Sequence, residues 1–133
     1  MPKIPQITCK TAWQILLDDE NSLLVDVRTQ TEWLTVGVPD TSEVGRPTRF
    51  VSWTDEHGSP NPHFADQVTN GVAPDTPLLL LCRSGARSNA AAELLISIGF
   101  NQAMNIVSGF ESPQDPSAGW MAQKPSTVYD DSL

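Results

Sequence analysis

Four consecutive leucines, Leu78-Leu79-Leu80-Leu81, run directly into Cys82, and no other stretch of the chain restricts its fold as strongly. A run this short is too brief for a typical helix, and side chains apolar at both odd and even positions suit a strand covered on both faces. The turn Val72-Ala73-Pro74-Asp75-Thr76-Pro77 delivers the chain into it. Beyond Cys82, a helix is expected from Arg87 or Ser88 to Ile98, with Ala91, Leu94, Leu95 and Ile98 on its apolar side. Gly99 supplies the left-handed residue that commonly ends a helix.

The same alternation extends in both directions. Thr8 is a plausible cap for a helix through Leu17, with Ala12, Trp13, Leu16 and Leu17 on one face. Leu23-Leu24-Val25-Asp26-Val27 reads as a second doubly covered strand. Thr31 to Leu34 begins a short helix that Val38-Pro39-Asp40 and Gly45-Arg46-Pro47 interrupt. Arg49 to Trp53 reads as a strand, Asp55 to Pro62 as loop, His63 to Val68 as one or two helical turns, and Ala103 to Val107 as a last strand.

Strands alternating with helices predict an α/β fold: a mostly parallel sheet flanked by helices on both faces, with ligands at the carboxyl ends of its strands. The 133 residues suit one domain spanning 1–133. Its core lies at about 8–110, and the proline-interrupted segment 111–133, ending near Asp130-Asp131, is expected to be irregular and anchored at Trp120.

With 16 acidic against 8 basic side chains, the formal net charge is −8. That excludes sequence-independent nucleic-acid binding, which needs phosphate neutralisation, and disfavours anionic membranes. No apolar run reaches membrane-span length and Met1 to Gln6 carries no apolar leader, so a soluble cytoplasmic protein is expected. Cys9 and Cys82 read as thiols, Cys9 as an ordinary first-turn helix residue. His57 and His63 lack companions for a zinc site, and neither metal nor cofactor is expected.

The chemistry concentrates in Cys82-Arg83-Ser84-Gly85-Ala86-Arg87-Ser88, between the apolar strand and the amphipathic helix. Backbone N–H groups in such a loop converge on an anion, and the helix dipole adds partial positive charge. A thiolate at Cys82 gains from both, so Cys82 is expected to be more acidic than an ordinary thiol. Arg83 and Arg87 make a local positive spot in an acidic chain. Gly85 suits a sharply bent backbone, and Ser84 and Ser88 offer hydroxyl donors.

This loop, together with Asp26-Val27-Arg28, Glu32-Trp33 and Asn105-Ile106-Val107-Ser108-Gly109-Phe110, resembles a rhodanese domain over roughly Thr8 to Phe110. The resemblance implies a five-stranded, mostly parallel sheet and Cys82 as the sulfur-carrying nucleophile of a thiosulfate sulfurtransferase. It implies that the loop N–H groups cradle the bound sulfur, that Arg83 and Arg87 help bind a small anionic donor, and that Asp26 and Arg28 support the loop as a structural pair. A thiol or protein would accept the sulfur. Related phosphatases use a longer C-x5-R loop; here four residues separate Cys82 from Arg87, and Ser88 holds the later position. A persulfide carrier or regulatory module with little free turnover is the alternative. Gly37 stands where many members of the family carry a His. The stretches Thr41 to Val72 and Glu111 to Pro116 are candidates for walls of the entrance.

Overall fold

The structure is a computed structural model and describes residues 3–127. Five strands form one sheet in the order β1-β6-β5-β2-β4: β1 (Gln6–Ile7), β6 (Ala103–Ile106), β5 (Leu78–Leu81), β2 (Leu23–Asp26) and β4 (Arg49–Phe50). Every pairing among them is parallel. The two central strands sit beside one another, with Leu23 to Asp26 in register with Leu78 to Leu81. β1 is too short to carry a periodicity of its own; it forms because Gln6 and Ile7 lie against Asn105 and Ile106.

The leucine run is split by the pleat. Leu78 and Leu80 join Val25, Val27, Phe64, Val68, Ala91 and Leu95 in one core layer. Leu79 and Leu81 join Leu24, Ile106, Trp13, Leu16, Phe110 and Trp120 in the other. Each fully buried leucine contributes roughly 1.5–3 kcal/mol from removed apolar area. Helices α3 (Phe64–Thr69) and α4 (Ala86–Ser97) thus cover one face, and α1 (Cys9–Asp18) and α5 (Trp120–Gln123) the other. The short α2 (Gln30–Thr35) is closed by a reciprocal cap between Thr29 and Glu32.

Three details depart from the sequence expectation. α1 buries Cys9, Ala12, Trp13 and Leu16, an i, i+3, i+4, i+7 stripe that starts one turn earlier than expected and leaves Leu17 exposed. Ile98 is exposed as well, because α4 has ended at Ser97 and the chain reverses at Gly99 with φ 103°. The strand expected over Arg49 to Trp53 shortens to Arg49–Phe50, since its partner β2 ends at Asp26. The N–H groups of Val51 and Trp53 still bond to Asp26 and Val27.

The segment after Phe110, expected to be irregular, instead holds a 3-10 turn (Pro116–Ala118), α5 and a strand β7 (Ser126–Thr127), and is ordered through Thr127 because Trp120 is buried against Trp13 and β7 finds a partner. β7 pairs antiparallel with β3 (Val38–Pro39). Trp120 is fully buried, edge-on to Trp13 at 5.8 Å, with its indole N–H on Pro125 O. Asp130 and Asp131 lie outside the described residues.

Candidate active site

Cys82 follows β5 at the carboxyl end of the sheet, where the Val27 N–H bonds to Leu81 O and ties the end of β2 to the start of the loop. Its side chain is 1% exposed, and its Sγ accepts from the Gly85 N–H at 3.1 Å. α4 then starts at Ala86 without a side-chain cap. The N–H groups of its first turn have no partner within the helix, and they carry the positive end of the dipole to the loop. Gly85 has φ 103°, and a Cβ there would run into the Val107 carbonyl. A glycine is therefore required.

A loop presents N–H groups inward when its carbonyls are held elsewhere, and here those of Cys82, Arg83 and Gly85 have named anchors. Phe110 N–H bonds to Cys82 O at 2.7 Å, and the Glu111 and Ser112 N–H groups bond to Arg83 O at 3.1 and 3.2 Å. Gly85 O accepts from Asn105 Nδ2 and from Asn89 N–H, each at 3.1 Å. The clamp rides close on the loop: at Gly109, φ 73°, a Cβ would collide with the Cys82 and Arg83 carbonyls. The next turn stores strain in Ser112, a buried non-glycine residue at φ 48°.

Three of the five arginines, Arg28, Arg83 and Arg87, surround the loop and each ends on a carboxylate. Arg87 and Glu32 make a two-pronged contact at 2.7 and 3.0 Å, both side chains half-buried. Burial acts to raise the Glu32 carboxyl, but hydrogen bonds from Arg87 and the Thr29 N–H, with the Arg87 charge, outweigh it and hold Glu32 below its ordinary value. The same bond to Glu32 raises Arg87. Arg83, half exposed, reaches Glu111 at 3.2 Å. Arg28 and Asp26 are fully buried and paired at 2.8 Å, with Arg28 Nη2 also on Gly37 O. The Arg28 guanidinium lies 4.1 Å from the centre of the Phe110 ring, so the pair braces the residue that anchors the Cys82 carbonyl. The positive spot expected from the sequence is thus laced with three acids.

Ser84 and Ala86 are exposed and, with Arg83, Val107, Ser112 and Pro113, line an open groove of about 670 Å³ beside the loop. The stretch after Phe110 therefore does border the site. Thr41 to Thr48 instead lines a separate groove with Phe50 and Thr127, and Arg46 pins it to the carbonyls of Leu16, Asp19 and Ser22. Ser88 is buried, its hydroxyl 3.2 Å from Cys82 Sγ and 2.5 Å from Asn105 Oδ1. Cys9 sits behind the clamp with its Sγ 3.6 Å from Gly109 O, and burial pushes its thiol up to about 11.

Sequence reasoning left Glu32, Asn105 and Glu111 without roles. Asn105 carried a signal: a polar side chain in a short buried strand needs partners. Thr29-x-x-Glu32 signalled a helix cap, but nothing signalled that Glu32 and Glu111 would pair with Arg87 and Arg83, which lie 55 and 28 positions away.

The chain matches the rhodanese-like domain family over residues 8–115 and belongs to it. An uncharacterized protein of Rickettsia conorii is 36% identical over 118 residues, covering 86% of this chain and 90% of that one. A sulfurtransferase of Allochromatium vinosum is 26% identical over 106 residues, 80% of this chain and 84% of that one. Among solved structures, that of Rv0390 from M. tuberculosis superposes with a TM-score of 0.87 at 36% identity, over 96% of this chain and all of the other (100%). The polysulfide-sulfur transferase of Wolinella succinogenes shares the fold, with a TM-score of 0.68 at 21% identity over 93% of this chain and 78% of that one.

Proposed function

We propose that the protein is a sulfurtransferase that carries sulfane sulfur as a persulfide on Cys82. The observation that carries this reading is the placement of Cys82 Sγ on the Gly85 N–H within a C-x4-R loop whose Cys82, Arg83 and Gly85 carbonyls are tied outward. A ring of this size suits a single sulfur atom. The sulfurtransferase relative from Allochromatium vinosum supports the same class.

The Cys82 thiolate attacks the outer sulfur of a small anionic donor such as thiosulfate. The new Sγ–S bond forms as the S–S bond of thiosulfate breaks, and sulfite leaves with the electron pair. The negative charge now rests on the outer sulfur, where the N–H groups of Gly85 and the first turn of α4 stabilise it. A thiophilic acceptor, a thiol or a protein cysteine, then takes that sulfur and returns Cys82 to the thiolate. Exposed Arg83, Ser84 and Ala86 border the approach. A cytoplasmic setting suits this cycle, because Cys82 must return reduced.

A carrier that discharges only to a partner protein is the second reading: Cys82 is almost wholly buried, while Arg83, Ser84 and Ala86 leave the rim of its loop exposed for a partner surface to engage. Phosphoryl transfer is disfavoured, because the position a longer loop would give to a cation holds Ser88, its hydroxyl on Sγ. Intact-protein mass spectrometry after thiosulfate, then cyanide, tests the proposal on wild type and Cys82→Ser. One added sulfur on wild type alone, released as thiocyanate, is the expected result. Loading without discharge by cyanide selects the carrier, and no loading from thiosulfate or polysulfide overturns both.

A further inference from the structure

We propose that Asn105 is a positioning residue for Cys82: it holds the only proton of the Ser88 hydroxyl, and so turns a Ser88 lone pair rather than a donor toward Cys82 Sγ. The inference deepens the persulfide reading by adding a control on its nucleophile.

Two backbone carbonyls, Ile4 O and Gly85 O, can only accept, and they orient two side-chain amides. Gln6 Nε2 lies 3.2 Å from Ile4 O, so that end of the Gln6 amide is its NH2 and Oε1 is the other. Asn105 Nδ2 lies 2.7 Å from Gln6 Oε1 and 3.1 Å from Gly85 O, so the donor end of Asn105 is fixed twice over. Asn105 Oδ1 must then face Ser88. The two oxygens are 2.5 Å apart and both residues are buried. Without a proton between them, two acceptors would oppose each other, and an amide oxygen has none to give. The Ser88 hydrogen therefore lies on the bond to Asn105, and the 3.2 Å approach of Ser88 Oγ to Cys82 Sγ offers only an acceptor.

That geometry matches a neutral S–H donating to Ser88. When the thiol proton leaves for solvent, the Ser88 hydroxyl must swing from Asn105 to the sulfur before it can stabilise the thiolate, breaking one buried hydrogen bond. Once an outer sulfur is attached, the charge moves away from Sγ and Ser88 returns to Asn105. Asn105 thereby disfavours the bare thiolate relative to the sulfur-loaded state.

Iodoacetamide alkylation of Cys82 as a function of pH, followed on its own peptide by mass spectrometry so that Cys9 does not contribute, tests this without any sulfur donor. The result is thus independent of whether the protein transfers sulfur. Arg87, whose charge interacts with Cys82, Asp26 beyond it, Arg28, Glu32, and the pair Arg83–Glu111 set the surrounding field and stay the same in every variant. Asn105→Leu, similar in size and without an acceptor, is expected to lower the pH of half-maximal reaction by on the order of one unit, or about tenfold faster labelling below it. Asn105→Ala carries the same expectation. In a Ser88→Ala background the lowering disappears, and what remains is only the effect of freeing Gly85 O from Asn105 Nδ2, which loosens a donor to Sγ and so acts in the opposite direction. An unchanged or raised midpoint, or the same lowering without Ser88, overturns the proposal. Infrared spectroscopy of the unmodified protein gives a check that needs no folded Asn105 variant. The Cys82 S–H stretch lies at lower frequency than in Ser88→Ala if the thiol donates to Ser88, and equal frequencies also overturn it.

Discussion

Arg87 and Glu32, 55 positions apart, meet in a two-pronged ion pair whose carboxylate also closes the amino end of α2 through Thr29. One acid thus joins the last arginine of the Cys82 loop to a helix on the far side of β2. Because the folded protein holds the Glu32 carboxyl low, its contribution is complete above the ordinary value of 4.5 and is lost as pH falls through the depressed one. Glu32→Gln is expected to cost about 1 kcal/mol at neutral pH and to lose less stability on acidification than wild type. Urea unfolding between neutral pH and the acid range measures both.

Asp26→Asn leaves the Arg28 charge fully buried with its principal partner removed. A loss of about 3 kcal/mol is expected in urea unfolding at pH 7. Phe110, stacked under Arg28, then anchors the Cys82 carbonyl less firmly, so sulfur loading is expected to slow even where the variant remains folded.

Gly85→Ala places a methyl group against the Val107 carbonyl at a backbone angle that disfavours side chains. Stability is expected to fall by about 2 kcal/mol or more. The Gly85 N–H moves with the backbone, so persulfide formation should drop at least about tenfold under folded conditions, read by mass spectrometry.

Cys9 is buried in the core layer behind the loop, with its thiol pushed up to about 11 from 9.0. A raised value in the folded state contributes stability that is complete below about pH 9.0 and is lost as pH rises through about 11. The wild-type unfolding free energy is expected to decline over that window more steeply than that of Cys9→Ala. In the folded protein at pH 8, thiol reagents should label Cys82 well before Cys9.

Much of the framework was legible because local pattern carried it. The leucine run, the Thr8 cap and the Ala91–Leu95 spacing located β5, α1 and α4 to within a residue or two. β1 was not legible, since two residues have no period and Gln6–Ile7 becomes a strand only beside β6. The antiparallel pairing of β7 with β3 was hidden for the same reason. At the site, Gly85 announced a bend, whereas Glu111 gave no sign that its N–H would hold Arg83 O.

The sequence by itself determined an α/β chain with a cysteine at the end of a buried strand and a rhodanese-type loop after it, because short apolar runs, caps and loop residues act over a few positions. Only the tertiary structure decided where the charges and protons go. Arg83, Arg87 and Arg28 each found a carboxylate, the carbonyls of Cys82 and Arg83 were drawn outward by residues 110–112, and the Ser88 proton was assigned to Asn105. Those outcomes depend on hydrogen bonds a few ångströms long between side chains and backbone groups brought together from distant strands, and spacing along the chain does not encode such distances.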